Sequence, residues 1–252
     1  MGLSENLVEA NANISQIKSE ADALINFANA KTGAGDTNLG DAVKTLVDGF
    51  GQGGGSGENT LKALIAQTKM TYYLFYNYPG KTVDLSMFTP DITSLVENYA
   101  SMFYGSQNLE SLDISHFSFE NARSLAYMFA NNRKVPELDF SNANAYNITS
   151  MQQTFWNMVG LIKLDLTGID FSKIVNGANT YQNCTSLLHL KIGKETDTEP
   201  QKLITVNAFA SCPTEMRIYV PAHLVDAYKV ASNWSTYADR IISNESWIPI
   251  QH

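Results

Sequence analysis

Apolar residues return along this chain at a fixed interval. Leu112, Leu138, Leu164 and Leu190 are each 26 residues apart, and the same step separates Phe103, Phe129, Phe155 and Tyr181, and again Ile114, Phe140, Leu166, Ile192 and Ile218. A period of about 20 to 50 residues marks a stacked array, whose units cannot bury their apolar faces alone. Within one unit, Leu109-x-x-Leu112-x-Ile114 alternates apolar and polar positions, as a short strand with one buried face does. Ser115, Ser141 and Thr167 follow where a hydroxyl can bond turn backbone. A loop with Phe117 and Phe119 comes next, then a short helical turn ending at Met128-Phe129. Stacked in register, such units build a parallel sheet with strands about 4.8 Å apart and a phenylalanine ladder behind it. The expected fold class is α/β.

The N-terminal fifth follows another rhythm. Leu3, Leu7, Ala10, Ile14, Ile17, Ala21, Leu24 and Ala28 alternate steps of four and three. That is a heptad, and its seam of Leu7, Ile14, Ile17 and Leu24 packs on another helix: either a neighbour in the same chain or copies of itself in a homo-oligomer such as a trimer. Leu39, Ala42, Val43, Leu46, Val47 and Phe50 continue at helical spacing behind an Asn38 cap, completing a helical hairpin. The expected division is a helical oligomerisation or docking segment over 1–50, a glycine-rich linker over 51–57, an N-terminal cap over 58–82, repeats over 83–220 and a C-terminal cap over 221–252.

Composition narrows the functional classes. The formal net charge is −8, with no clustered Lys/Arg run, which argues against nucleic acid as the partner. No stretch is apolar enough to span a membrane, and the first residues lack the basic and apolar regions of a signal peptide. Gly49, Gly51 and Gly54 match a dinucleotide-binding pattern but leave a helix where that motif joins a strand to one. No metalloprotease, hydrolase-elbow, phosphate-loop or kinase motif is present, so no catalytic residue, metal or cofactor is expected and the chain reads as a binding protein.

The candidate binding residues are polar and aromatic positions at the repeat phase. Asp113, Asp139 and Asp165 share a phase with Asp84 and would stand about 5 Å apart, repelling by about 0.8 kcal/mol per pair in water. Either a cation or basic ligand offsets this, or turn amides and neighbouring hydroxyls do. Tyr104, Tyr146, Trp156 and Tyr219 read as exposed rings that either contact a partner or cover the core edge. Cys184 and Cys212 each lie three residues after a ladder aromatic; they read as packed thiols, with a disulfide between adjacent coils the alternative.

The L-x-x-L-D-[LIF]-[ST] strand followed by M-F resembles the BspA-type leucine-rich repeats of bacterial surface proteins, over roughly Leu61 to Ile241. The resemblance extends to MRIYVPAHLVDAYKVASNWSTYADRI, which is similar to that family's C-terminal cap, and departs from it at Thr154, at Tyr181 and in a two-residue expansion within KIGKETDTEPQKLITVNAF. It implies a leucine-rich-repeat solenoid used for adhesion. Residues 1–57, with ANAKTGAGDTNLGDAVKTLVDGFGQGGGSG, resemble N-terminal segments of virion-associated proteins from phages of Gram-positive gut bacteria. Together they imply a virion fibre or decoration protein, assembled in the host cytoplasm, that meets other virion proteins and a host cell-surface protein or glycan. The alternative is a bacterial surface or secreted adhesin.

Overall fold

The structure is a computed structural model, and it describes Ile65, Lys69 and residues 71–86, 88–202 and 208–251. The chain divides into two units, Met1–Thr68 and Lys69–His252; the sheet, the turns and the aromatic column all belong to the second. The heptad seam of Leu7, Ile14, Ile17 and Leu24, the helical hairpin and the glycine linker lie outside the described residues.

One side of the unit is a five-stranded parallel sheet in sequential order: β1 (Glu137–Asp139), β2 (Lys163–Asp165), β3 (His189–Lys191), β4 (Arg217–Val220) and β5 (Ile241–Ser243). The register pairs Leu138 with Leu164, Leu164 with Leu190, Leu190 with Ile218 and Ile218 with Ile241. The central residue of β1, β2 and β3 faces the core while its neighbours face outward, which is the period-2 signature of the sequence. Ile218, expected in the column of Ile114, Phe140, Leu166 and Ile192, sits instead in the Leu138 column. The extra pair of residues between β3 and β4 moves the register by two, which preserves the inward face, and Val220 is buried beyond it. β5, drawn from the segment expected to close the array, adds a further parallel strand. Ahead of it come α1 (Pro90–Thr93) near the start of the unit and α2 (Val225–Val230) between β4 and β5.

The opposite side is built from turns, where a short helix was expected. Leu125, Tyr127, Phe129 and Asn131 donate backbone N–H bonds to the carbonyls of Ser150, Gln152, Thr154 and Trp156 in the next coil, at 3.0, 2.9, 3.0 and 2.8 Å. The intervening N–H groups of Met128, Ala130 and Asn132 close turns onto residues three back, Leu125, Tyr127 and Phe129. A helix would use these donors internally and leave nothing to join coils. Left-handed residues make the arrangement geometrically feasible. Ser101, Tyr127, Gln153 and Asn179 form one positive-φ column, and Gly105, Asn131, Asn157 and Asn183 form a second, four residues further on. The second column holds the residue types that tolerate this region best.

Between sheet and turns lies the aromatic column. Phe75 stacks on Phe103 at 5.2 Å, Phe103 on Phe129 at 5.7 Å, Phe129 on Phe155 at 5.9 Å, Phe155 on Tyr181 at 5.8 Å, and Tyr181 lies 4.9 Å from Phe209. Phe140 meets Phe129 edge-on at 5.8 Å. The residue three after a ladder aromatic satisfies a buried carbonyl of the preceding coil in several places: Ser106 Oγ donates to Phe75 O at 2.6 Å, Asn132 Nδ2 to Phe103 O at 2.9 Å and Cys184 Sγ to Phe155 O at 3.0 Å. Met158 holds the same place without a donor, and there Asn132 Nδ2 reaches Phe129 O as well, at 3.0 Å. Cys184 and Cys212 are both free and buried.

Truncating Phe129 to Ala removes two stacking faces and an edge contact from a site with no exposure, so a loss of about 3–5 kcal/mol in unfolding free energy is expected. A denaturant midpoint equal to that of the parent chain would contradict the column. The turn geometry has its own test. Asn157 has φ +58°, so Asn157→Val should cost about 1–2 kcal/mol more than Asn157→Gly, read from the same denaturation curves; equal losses would contradict a left-handed backbone there.

Candidate functional site

The outward face of the sheet brings two polar columns together. The first runs Glu137, Lys163, His189, Arg217, and the second Asp139, Asp165, Lys191, Tyr219. Each aspartate of the expected ladder is engaged by its own turn. Asp113 Oδ1 accepts from Ser115 N at 2.9 Å, Asp139 Oδ1 from Ser141 N at 2.7 Å and Asp165 Oδ1 from Thr167 N at 3.0 Å. The hydroxyls of Ser115 and Thr167 donate to the same oxygens at 2.7 Å. These are side-chain turns of the kind Asp forms two residues ahead of itself. Asp84 repeats the bond with Ser86 N at 2.9 Å, which holds its carboxyl below the usual range. Asp165 is buried, and Lys191, its neighbour in β3, places Nζ 3.6 Å from Asp165 Oδ2. The substitution that interrupts the aspartate column therefore neutralises its last member.

The four candidate aromatics do not form one surface. Tyr219, expected to be exposed, is buried: its hydroxyl lies 2.9 Å from His189 Nδ1 and its ring meets Trp247 edge-on at 5.1 Å. The cause is the chain's own C-terminal segment, which covers this part of the sheet. Tyr104 is half-buried on the turn side, stacked on Tyr76 at 5.3 Å, and Trp156 is half-buried on that side too. Tyr146 is exposed in a loop, with Lys194 Nζ 4.6 Å above its ring. Only Tyr219 shares a face with the aspartates.

Trp247 was not singled out by the sequence, and it is the residue that organises this face. Leaving β5, the chain turns through Asn244–Ser246, where Asn244 Nδ2 donates to Glu195 Oε1. It then crosses back over the strands. The Trp247 ring lies 4.9 Å from Lys163 Nζ and 5.7 Å from Lys191 Nζ, cation–π distances. Further on, Ile250 and Gln251 close a cleft of 320 Å³ against Ser111, Leu112, Asp113, Pro136, Glu137 and Asp139. The face is thus cationic under the indole and acidic at the cleft. Its one sequence signal was a lone tryptophan beyond the last periodic residue, and period alone assigns such a residue no place.

Burial and the ammonium of Lys163 both disfavour the imidazolium of His189, lowering its pKa below 6.5. The thiols move the other way: burial raises Cys184 well above the ordinary thiol value and pushes Cys212 up to about 12. Among the described residues, no group of three or more His, Cys, Asp or Glu is placed to hold a metal ion, and no helix is long and apolar enough to cross a membrane.

Residues 70–192 match the model of a family described as Mycoplasma protein of unknown function, DUF285. The match runs from the aromatic cluster to the end of β3 and its flanking residue Ile192. No curated protein matches the chain.

Titration of these groups has measurable consequences. The folded pKa of His189 lies below its unfolded value, so the unfolded chain takes up this proton first; stability present above pH 6.5 is lost as pH falls below it. Melting temperature should therefore drop less steeply from pH 7.5 to 5.5 in His189→Gln than in the parent; identical slopes would argue against a half-buried imidazole held neutral. Cys184 and Cys212 should resist iodoacetamide at pH 8 in the folded chain and react once it is unfolded. Rapid alkylation without unfolding would show the thiols to be open.

Proposed function

We propose that the chain is a non-enzymatic recognition protein, a leucine-rich-repeat solenoid of the BspA type that presents its surface to a host cell-surface protein or glycan. Our first reading is a phage virion fibre or decoration protein. Its helical N-terminal segment would assemble copies or dock on other virion proteins, and the repeats would project outward. The observation that carries the recognition reading is the division of labour within each unit. Apolar ladders recur along the stack and turn-engaged aspartates recur from Asp84 to Asp165, whereas the outward residues beside them change from coil to coil: Glu137, Lys163, His189 and Arg217 share one register position. A scaffold that holds its own polar groups in place and varies what it displays is suited to binding extended partners. The match to a family related to BspA-like repeat proteins supports the repeat assignment. The virion reading rests on the resemblance of residues 1–57. A bacterial adhesin remains the alternative, since the same surface would serve it.

Incubating the purified full chain with intact Gram-positive cells and with their isolated wall glycans tests the recognition reading. Saturable binding to either is expected, reduced by charge reversal of exposed Arg217; absence of binding to both across a panel of gut species would count against it. Light scattering tests the fibre: an oligomer, with Leu7, Ile14, Ile17 and Leu24 at its seam, is expected at micromolar concentration, and a monomer would sink this version. Release of reducing sugar from the glycan would overturn the non-enzymatic assignment.

A further inference from the structure

The way residues 244–251 lie on the sheet tells what this face recognises. Two side chains hold the segment down: Trp247, over Lys163, Lys191 and the edge of Tyr219, and Ile250, 9% exposed in the cleft beside Leu112 and Pro136. Ile248 between them is 74% exposed, and Pro249 is exposed too. The backbone at Trp247 is extended, with φ −69° and ψ 129°, and Pro249 fixes its own φ and has no N–H to satisfy. Among the described residues, every hydrogen bond donated by residues 245–251 ends within 243–249. Asn244 ties the head of the segment to Glu195, and beyond it the segment meets the sheet through the Trp247 ring and the Ile250 side chain, unlike β5, whose backbone belongs to the ladder. A stretch held at two anchors, with exposed Ile248 and Pro249 between them and no ladder bonds, opens at lower cost than the sheet beneath it.

We propose that the outward face of the sheet is a docking groove for an extended peptide of a partner protein, one carrying an aromatic ring and, three residues on, a branched aliphatic side chain with proline between, and that residues 244–251 are a built-in occupant which such a peptide displaces. Anchors three residues apart on a backbone near polyproline II have the layout of proline-containing peptide recognition, in which every third residue faces an aromatic-lined groove. A tethered occupant competes at an effective concentration of about millimolar, so the groove is closed to weak peptides and open to strong ones. The groove does not depend on whether the chain is carried on a virion or binds a glycan.

The probe is a fluorescent synthetic peptide of residues 243–251, SNESWIPIQ, titrated into the full chain and into its Trp247→Ala/Ile250→Ala variant. Binding at least tenfold tighter to the variant is expected, lost when the peptide carries alanine at both anchors and weakened by Lys163→Glu in the groove. Equal affinity for parent and variant, or no saturable binding to a variant whose circular-dichroism melt matches the parent, would overturn the proposal. Hydrogen exchange on the unmodified chain decides the point even if the double variant does not fold. Amides of Trp247, Ile248, Ile250 and Gln251 should exchange at least a hundredfold faster than those of β1 to β4, and exchange as slow as the strands would rule out displacement. A dimer of the parent chain formed by swapping this segment would also overturn the partner-peptide assignment, since the occupant would then be a second copy.

Discussion

Each coil of this unit must hand its spare backbone donors and its aromatic face to the next coil, and that constraint shapes all the others. On the strand side the parallel ladder does this, and on the turn side the alternate N–H groups of residues 125–131 do it with the carbonyls of 150–156. The two hydrogen-bonded walls fix the coil spacing at which Phe129 stacks on both Phe103 and Phe155 at under 6 Å. Dispersion between nearly parallel rings and the cost of leaving a buried N–H unpaired then favour the same spacing. Where a coil departs from the pattern, a neighbour compensates. Met158 lacks the donor found at Ser106, Asn132 and Cys184, and Asn132 covers the Phe129 carbonyl in its stead.

The same constraint explains which polar residues are scaffold. Asp113, Asp139 and Asp165 recur because the turn after each of them takes an acceptor for the amide two residues ahead, and so their repetition reports local turn chemistry. The two cysteines recur for a parallel reason: each donates a weak hydrogen bond to a ladder carbonyl, at 3.0 Å from Cys184 and 3.8 Å from Cys212. Residues that break the recurrence are the ones free to carry recognition. Lys163, His189 and Arg217 are of this kind, and so is Trp247, which belongs to no column.

Glycine and asparagine show how tightly the coils approach. Gly168 donates no side chain, yet a Cβ there would overlap the Phe140 carbonyl oxygen of the preceding coil, while its own carbonyl accepts from Ala145 N at 2.9 Å. Asn157 Nδ2 donates a hydrogen bond to Asn131 Oδ1 at 2.6 Å, which extends the turn wall outward through side chains. Stability is thus distributed coil by coil, and folding can propagate along the stack from any well-formed neighbour.

The period, the parallel sheet, the inward leucine column and the aromatic ladder were legible in the residues alone, because each is a local pattern repeated at 26 residues and repetition forces register. The alternation that placed Asp139 and Asp165 outward was legible too, and turn amides were one of the two offsets the residues suggested; the folded turns supply them. Folding in three dimensions settled the rest. Turns replaced the short helix because inter-coil hydrogen bonding, invisible in one unit's propensity, outweighed local helix formation. Ile218 changed column because an insertion of two residues preserves face while shifting partner. Tyr219 went from display to burial, and the open face became a covered groove, because Trp247 and Ile250 fold back from beyond the last strand, a contact across the whole sheet that no periodicity encodes.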